Sequence, residues 1–184
     1  MQPFSWIPQG ASLVVSRRWT INNGQGINTL AALRSAIKET SPSVSQTLDS
    51  DKSLRADYTA AELEKRGLEF FQRVYAKVAD RVEQNMALSS GGDLSQFAML
   101  SIYGELMAEE RILNAKETGL MEFIVCYASG AAPQARGHMY GSRNLGNGKE
   151  EIQNAIKLTQ ELVKELGVSL DIESMDFVKK VDNW

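Results

Sequence analysis

The stretch "TAAELEKRGLEFFQRVYAKVADRV", residues 59–82, decides the fold class. Thr59-Ala60-Ala61-Glu62 is a capping box, in which the threonine oxygen and the glutamate carboxylate each take a backbone N–H left orphaned at a helix start. Leu63, Phe70, Phe71, Val74, Val78 and Val82 then recur at helical spacing, an apolar stripe that predicts one helix running to about residue 87.

Outward from this stretch the helical period persists. "SSGGD" at 89–93 stops the first helix, with Asp93 placed to cap a second that carries Leu94, Phe97, Ala98, Ile102 and Leu106. "LMEFIVCYA" at 120–128 repeats Leu120, Phe123, Ile124 and Tyr127 at helical spacing; such a run also suits a buried strand, and its helical neighbours favour helix. Ile152, Ile156, Leu162, Val163 and Leu166 form the stripe of a further helix ended by Gly167, and "IESMDFVKKV" is a candidate last helix. Upstream, Leu30, Leu33 and Ile37 share one face, capped by Asn28 or Thr29, and the polar "SPSVSQTLDSDKS" at 41–53 reads as a linker or a short helix. Alternation is confined to "SLVVS" at 12–16, so the expected class is all-α. The expected divisions are an N-terminal arm at 1–57, a helical domain at 58–170 and a tail at 171–184.

The chain has 184 residues and a formal charge of −3, which suits one domain with an appended segment and offers no basic stripe for nucleic acid. No apolar run reaches the length of a membrane span. One cysteine, Cys126, excludes an internal disulfide and a multi-cysteine zinc site, and favours a reducing compartment. Residues 1–38 lack Asp and Glu but carry Arg17, Arg18, Arg34 and Lys38. That composition suits an organellar transit peptide or a short arm packed on the body, and Pro3, Pro8 and "NNGQG" at 22–26 interrupt any long amphipathic helix. The expected location is cytoplasmic, with the mitochondrion as alternative.

The single histidine, His138, lies in "ASGAAPQARGHMYGSRNLGNGKEEI", residues 128–152. "GNGK" at 146–149 is not a phosphate loop, because Arg143 stands where the first glycine belongs and Glu150 where Ser or Thr should meet magnesium. Residues 133–145 read as a helix with Pro133 in its first turn. Gln134, His138 and Ser142 then share a face, beside Gly137 and Gly141. Interior glycines cost about 1 kcal/mol each relative to alanine, so a close approach is implied. Two readings follow: a pocket wall between helices, or a tight helix crossing with a structurally bonded histidine.

From His138 onward, Gly141, Asn144, Gly146 and Glu150-Glu151-Ile152 follow without a gap the spacing "H-x-x-G-A-x-N-x-G-x-T-x-E-E-I", and "IYGELM" at 102–107 matches a Tyr-Gly-Asp/Glu element. In these features residues 60–167 resemble the carboxymuconolactone decarboxylase family, related to the alkylhydroperoxidase AhpD. The resemblance implies an AhpD-like helical bundle, homo-oligomeric and needing no cofactor; no metal is expected either, because the helix places no carboxylate three or four residues from His138. It implies a lyase or isomerase acting on a small carboxylated lactone or enol, with His138 as general acid/base. Gln134, Tyr103, Tyr140, Arg136 and Arg143 are then the candidate substrate-binding residues. Ala131 and Gln134 occupy the positions of the peroxidase branch's Cys-x-x-Cys pair, which excludes that chemistry, and Gly119 stands where that branch has a glutamate. The alternative is a non-catalytic helical oligomeric binding or scaffold relative. A third reading keeps a thiol role for Cys126.

Overall fold

The Thr59 capping box forms as the sequence predicts. Thr59 Oγ1 accepts from Glu62 N at 3.3 Å and Glu62 Oε2 accepts from Thr59 N at 2.7 Å, starting helix α3 (Ala60–Tyr75). A computed structural model describes residues 27–50, 57–167 and 173–184. It divides into two compact units, Met1–Ser53 and Leu54–Trp184. The described residues are helical without strands, so the fold they form is all-α. The "SLVVS" and "NNGQG" segments and the arginines at 17 and 18 lie outside the described residues.

In the first unit, residues 27–40 form α1, which already contains Asn28 and Thr29, so neither caps it. The polar stretch after it is a short helix, α2 (Pro42–Ser50), with proline in the first turn where its missing N–H is harmless. Arg34 pairs with Asp49 across the two helices.

In the second unit the long helix expected to run to residue 87 breaks. Ala76 takes φ +46°, a conformation L-residues other than glycine rarely adopt. One 3₁₀ turn, Ala76–Val78, then leads into α4 (Ala79–Ser90). The break leaves the Val74 carbonyl without its helical partner, and Asn144 Nδ2 donates to it at 2.8 Å. Val78 is consequently 37% exposed rather than part of the core stripe. Gly91 and Gly92, both at positive φ, end α4 and open α5 (Asp93–Phe97). Asp93 is the first residue of α5, not its cap; Ser90 Oγ accepts from Leu94 N at 2.8 Å instead.

α5 runs into a π-helical segment, Ala98–Met107, closed by Ala108 N donating to Tyr103 O at 2.8 Å. Bonding five residues apart widens each turn and rotates the buried face. Met99, Tyr103 and Met107 are buried, whereas the expected core residues Leu94, Phe97 and Leu106 are 45–55% exposed. The segment lies against α3 through two glycines: a Cβ on Gly67 would strike the Met99 carbonyl oxygen, and one on Gly104 that of Leu63.

α6 (Ala115–Ala128) starts at a second capping box, Asn114 with Glu117, and turns through Gly130 (φ +75°) into α7 (Ala132–Asn144). α8 (Lys149–Glu165) follows a turn held by buried Asn147, whose Nδ2 donates to Lys116 O at 2.8 Å and Ser142 Oγ at 2.9 Å. A 3₁₀ segment, Glu173–Asn183, ends the described chain. On α8, Ile152 and Ile156 are buried, but Leu162 and Leu166 are 52% and 75% exposed. Two apolar clusters result. Phe70, Phe71, Val74, Met99, Tyr103 and Met107 centre on α3 and the π segment. Phe123, Tyr127, Met139, Ile152, Met175 and Val181 join α6, α7, α8 and the C-terminal segment.

Candidate functional site

His138 lies at the seam between these clusters. Gly141 lets α7 approach α3, since a Cβ there would stand 2.7 Å from Val74 Cγ1. Asn144 ties the end of α7 to the Val74 carbonyl. These contacts bring the His138 ring to 6.0 Å, centroid to centroid, from that of Tyr75, the last residue of α3. Gly137 has a different surrounding: nothing lies within 4 Å of a Cβ built on it.

The α6–α7 hairpin supplies the acidic partner. Glu122 and His138 lie equally far from Gly130 along the chain, and Glu122 Oε2 is 3.1 Å from His138 Nδ1. The distance permits a hydrogen bond but the angles do not, and Nδ1 is buried without a hydrogen-bond partner. His138 as a residue is 9% exposed. A buried polar atom left in this state stands out against the general satisfaction of protein interiors.

Two phenols complete the cluster. Tyr103 donates to the Tyr75 hydroxyl at 3.0 Å, and Phe71 stands edge-on to Tyr103 at 4.9 Å. Burial pushes the Tyr103 phenol above its ordinary range, with the Tyr75 and Glu122 charges adding to it. Burial also raises Tyr75, opposed by its bond to Tyr103 and reinforced by Glu122. Cys126, one turn after Glu122 on α6, is raised by burial and by the Glu122 carboxylate. Both effects favour the protonated thiol, the opposite of what a nucleophilic cysteine needs.

Of the residues singled out from sequence, the structure brings Tyr103 and His138 together through Tyr75. It does not bring the others there. Tyr140 packs on Trp184 at 5.7 Å, and the Arg143 guanidinium lies 4.4 Å from the Trp184 ring centre. Arg136 and Gln134 are exposed. Helical periodicity does not point to Glu122 or Tyr75, because neither lies within one helical turn of His138 in the chain. The hairpin about Gly130 was the available signal. Among the described residues no group of three or more His, Cys, Asp or Glu side chains is arranged to hold a metal. No described helix is long and apolar enough to cross a membrane.

Two relatives match the chain, both named Peroxisomal protein 2. The one from Schizosaccharomyces pombe is 33% identical over 127 residues, covering 68% of this chain and 59% of its own length. The one from Saccharomyces cerevisiae is 35% identical over 103 residues, covering 56% of this chain and 36% of its own length. The matched part is thus less than two thirds of either relative. No family model and no solved structure matches the chain.

These relatives overturn the resemblance to carboxymuconolactone decarboxylases and, with it, the cofactor-free lyase or isomerase reading in which His138 is a general acid/base. The site's electrostatics agree. A carboxylated lactone needs cations, and Arg143 is engaged on Trp184 while the carboxylate beside His138 is Glu122. The relatives' names likewise overturn the cytoplasmic and mitochondrial expectations.

Proposed function

We propose that the chain is a peroxisomal, self-associating helical binding protein rather than a lyase. The relatives' printed name supports the peroxisome. One observation carries self-association: α8 bears a second apolar stripe besides the one its core uses. Leu158, Leu162 and Leu166, four residues apart, are 57%, 52% and 75% exposed, and on α6 Met121 and Val125 are 51% and 61% exposed. Apolar residues grouped in this way, and not scattered singly, mark association surfaces. The working domain is residues 58–170 together with the C-terminal segment Glu173–Asn183 that completes its second cluster, and its small-molecule site is centred on His138 with Tyr103 behind it.

Sedimentation velocity tests the assembly. The wild-type chain sediments as an oligomer, and Leu158→Lys with Leu162→Lys sediments as a folded monomer by circular dichroism. A monomeric wild type, or a double variant that still assembles, refutes it. Co-localisation of a fluorescent full-length fusion with a peroxisomal marker checks the compartment.

A further inference from the structure

Glu122 is a carboxylate whose side chain keeps 19% of its exposure, and its nearest ionisable neighbour is the His138 imidazole. A carboxylate withdrawn from water needs donors or a counter-charge. The phenols nearby are turned to one another, Tyr103 donating to Tyr75. The arginines of the surrounding helices are engaged or exposed elsewhere: Arg143 over Trp184, Arg66 beside Glu109, Arg73 with Glu110, and Arg136 toward solvent. The field reaching Tyr75, Tyr103 and Cys126 is accordingly that of Glu122, without an Arg or Lys to offset it.

His138 shares this deficit. Its Nδ1 is buried, 3.1 Å from Glu122 Oε2 and unbonded. With the proton on the ring's other nitrogen, Nδ1 is an acceptor that faces the carboxylate oxygen. Both groups thus present lone pairs. Beside them are three aromatic rings, Phe71, Tyr75 and Tyr103, with centroids 4.5–6.3 Å apart. Tyr75 is the half-buried one and the one next to His138. Aromatic faces attract cations, more so when water is excluded.

We propose that Glu122, His138 and Tyr75 form a binding site for a small alkylammonium group. Glu122 supplies the counter-charge, His138 accepts a hydrogen bond from the ammonium, and the Tyr75 ring covers its alkyl side. The π-helical segment holds Tyr103 behind Tyr75 and fixes that ring by the hydroxyl–hydroxyl bond. The inference names the ligand class of the small-molecule site proposed above and rests on that site; it does not depend on self-association.

Methylammonium, ethylene glycol and acetate serve as probes on the full chain, read by the ¹⁵N signals of His138, which are unambiguous because the chain has one histidine. Methylammonium is expected to shift these signals saturably, and Glu122→Gln to weaken it about tenfold, the scale of losing a charged partner. Tyr75→Leu, the second arm if Glu122→Gln fails to fold, is expected to weaken it at least about threefold. Acetate moving the signals in preference to methylammonium overturns the ligand class while leaving a small-molecule site. Silence toward all three probes overturns both. Binding unchanged in folded variants overturns the residue assignment.

Discussion

α3 meets two partners through glycine, and the two crossings differ in kind. Against the π-helical segment the contact is backbone on backbone, with Gly67 over the Met99 carbonyl and Gly104 over that of Leu63. Against α7 the contact is backbone on side chain, Gly141 over Val74, with Gly137 a turn away facing open space. The first crossing is closed and apolar, and its geometry has no slack. The second is partly open, and it is where the chain places its histidine, a partly buried carboxylate and an unsatisfied ring nitrogen. Glycine spacing alone does not separate a packing seam from a functional one; the polar groups beside the glycines do.

The sharpest way to break this comparison is to add one methyl group at each glycine. Gly67→Ala and Gly104→Ala force backbone apart and should each destabilise by about 3 kcal/mol or more, read as a fall in urea midpoint. A loss under about 1 kcal/mol would show that the crossing yields. Gly141→Ala meets a Val74 methyl group rather than backbone, so a smaller loss of about 1–2 kcal/mol is expected. Gly137→Ala has room for its methyl and should stabilise α7 by about 1 kcal/mol. Destabilisation there would mean that a second copy or ligand occupies the space.

Smaller effects sharpen the electrostatic side. Glu109, near the junction of α3 and the π segment, bonds Arg111 Nε at 2.6 Å and lies 3.6 Å from Arg66. Those hydrogen bonds hold its carboxyl down at about 2. A depressed carboxylate stabilises the fold above its unfolded value, and the gain is lost as pH falls through the folded one. The loss should therefore run from about pH 4.5 down to about 2, and Glu109→Gln should flatten thermal stability across that window. At the open crossing, Glu122 raises the Cys126 thiol after burial does. Glu122→Gln should speed maleimide alkylation of Cys126 at neutral pH, and an unchanged rate would remove Glu122 from that neighbourhood.

Helix content was legible because it is local. The Thr59 capping box, the α3 stripe from Leu63 to Val74, Pro133 opening α7 and Gly167 past the end of α8 all depend on residues within a turn of one another. The failures lie where a local rule met a tertiary demand. Nothing around Ala76 signals a break, since alanine is a strong helix former; its conformation is maintained by the fold, with Asn144 accepting the role of partner to the freed Val74 carbonyl. The π segment changes the period itself, so a count at 3.6 residues per turn placed Leu94, Phe97 and Leu106 inside. Half of the site was legible in the same sense: His138 and Tyr103 by type, but not Glu122 or Tyr75.

By itself, then, the sequence determined that the described residues are helical, where α3 and α7 begin and where α8 ends, and that one histidine sits on a helix thinned by glycine. Each of those follows from hydrogen bonds and side-chain periodicity over a few residues. Only the tertiary structure decided what faces that histidine. The hairpin at Gly130 delivers Glu122, the end of α3 delivers Tyr75, and the C-terminal Trp184 draws Tyr140 and Arg143 away. Charge and burial at a site come from residues far apart in the chain, and a carboxylate in place of an arginine reverses the sign of the ligand it favours.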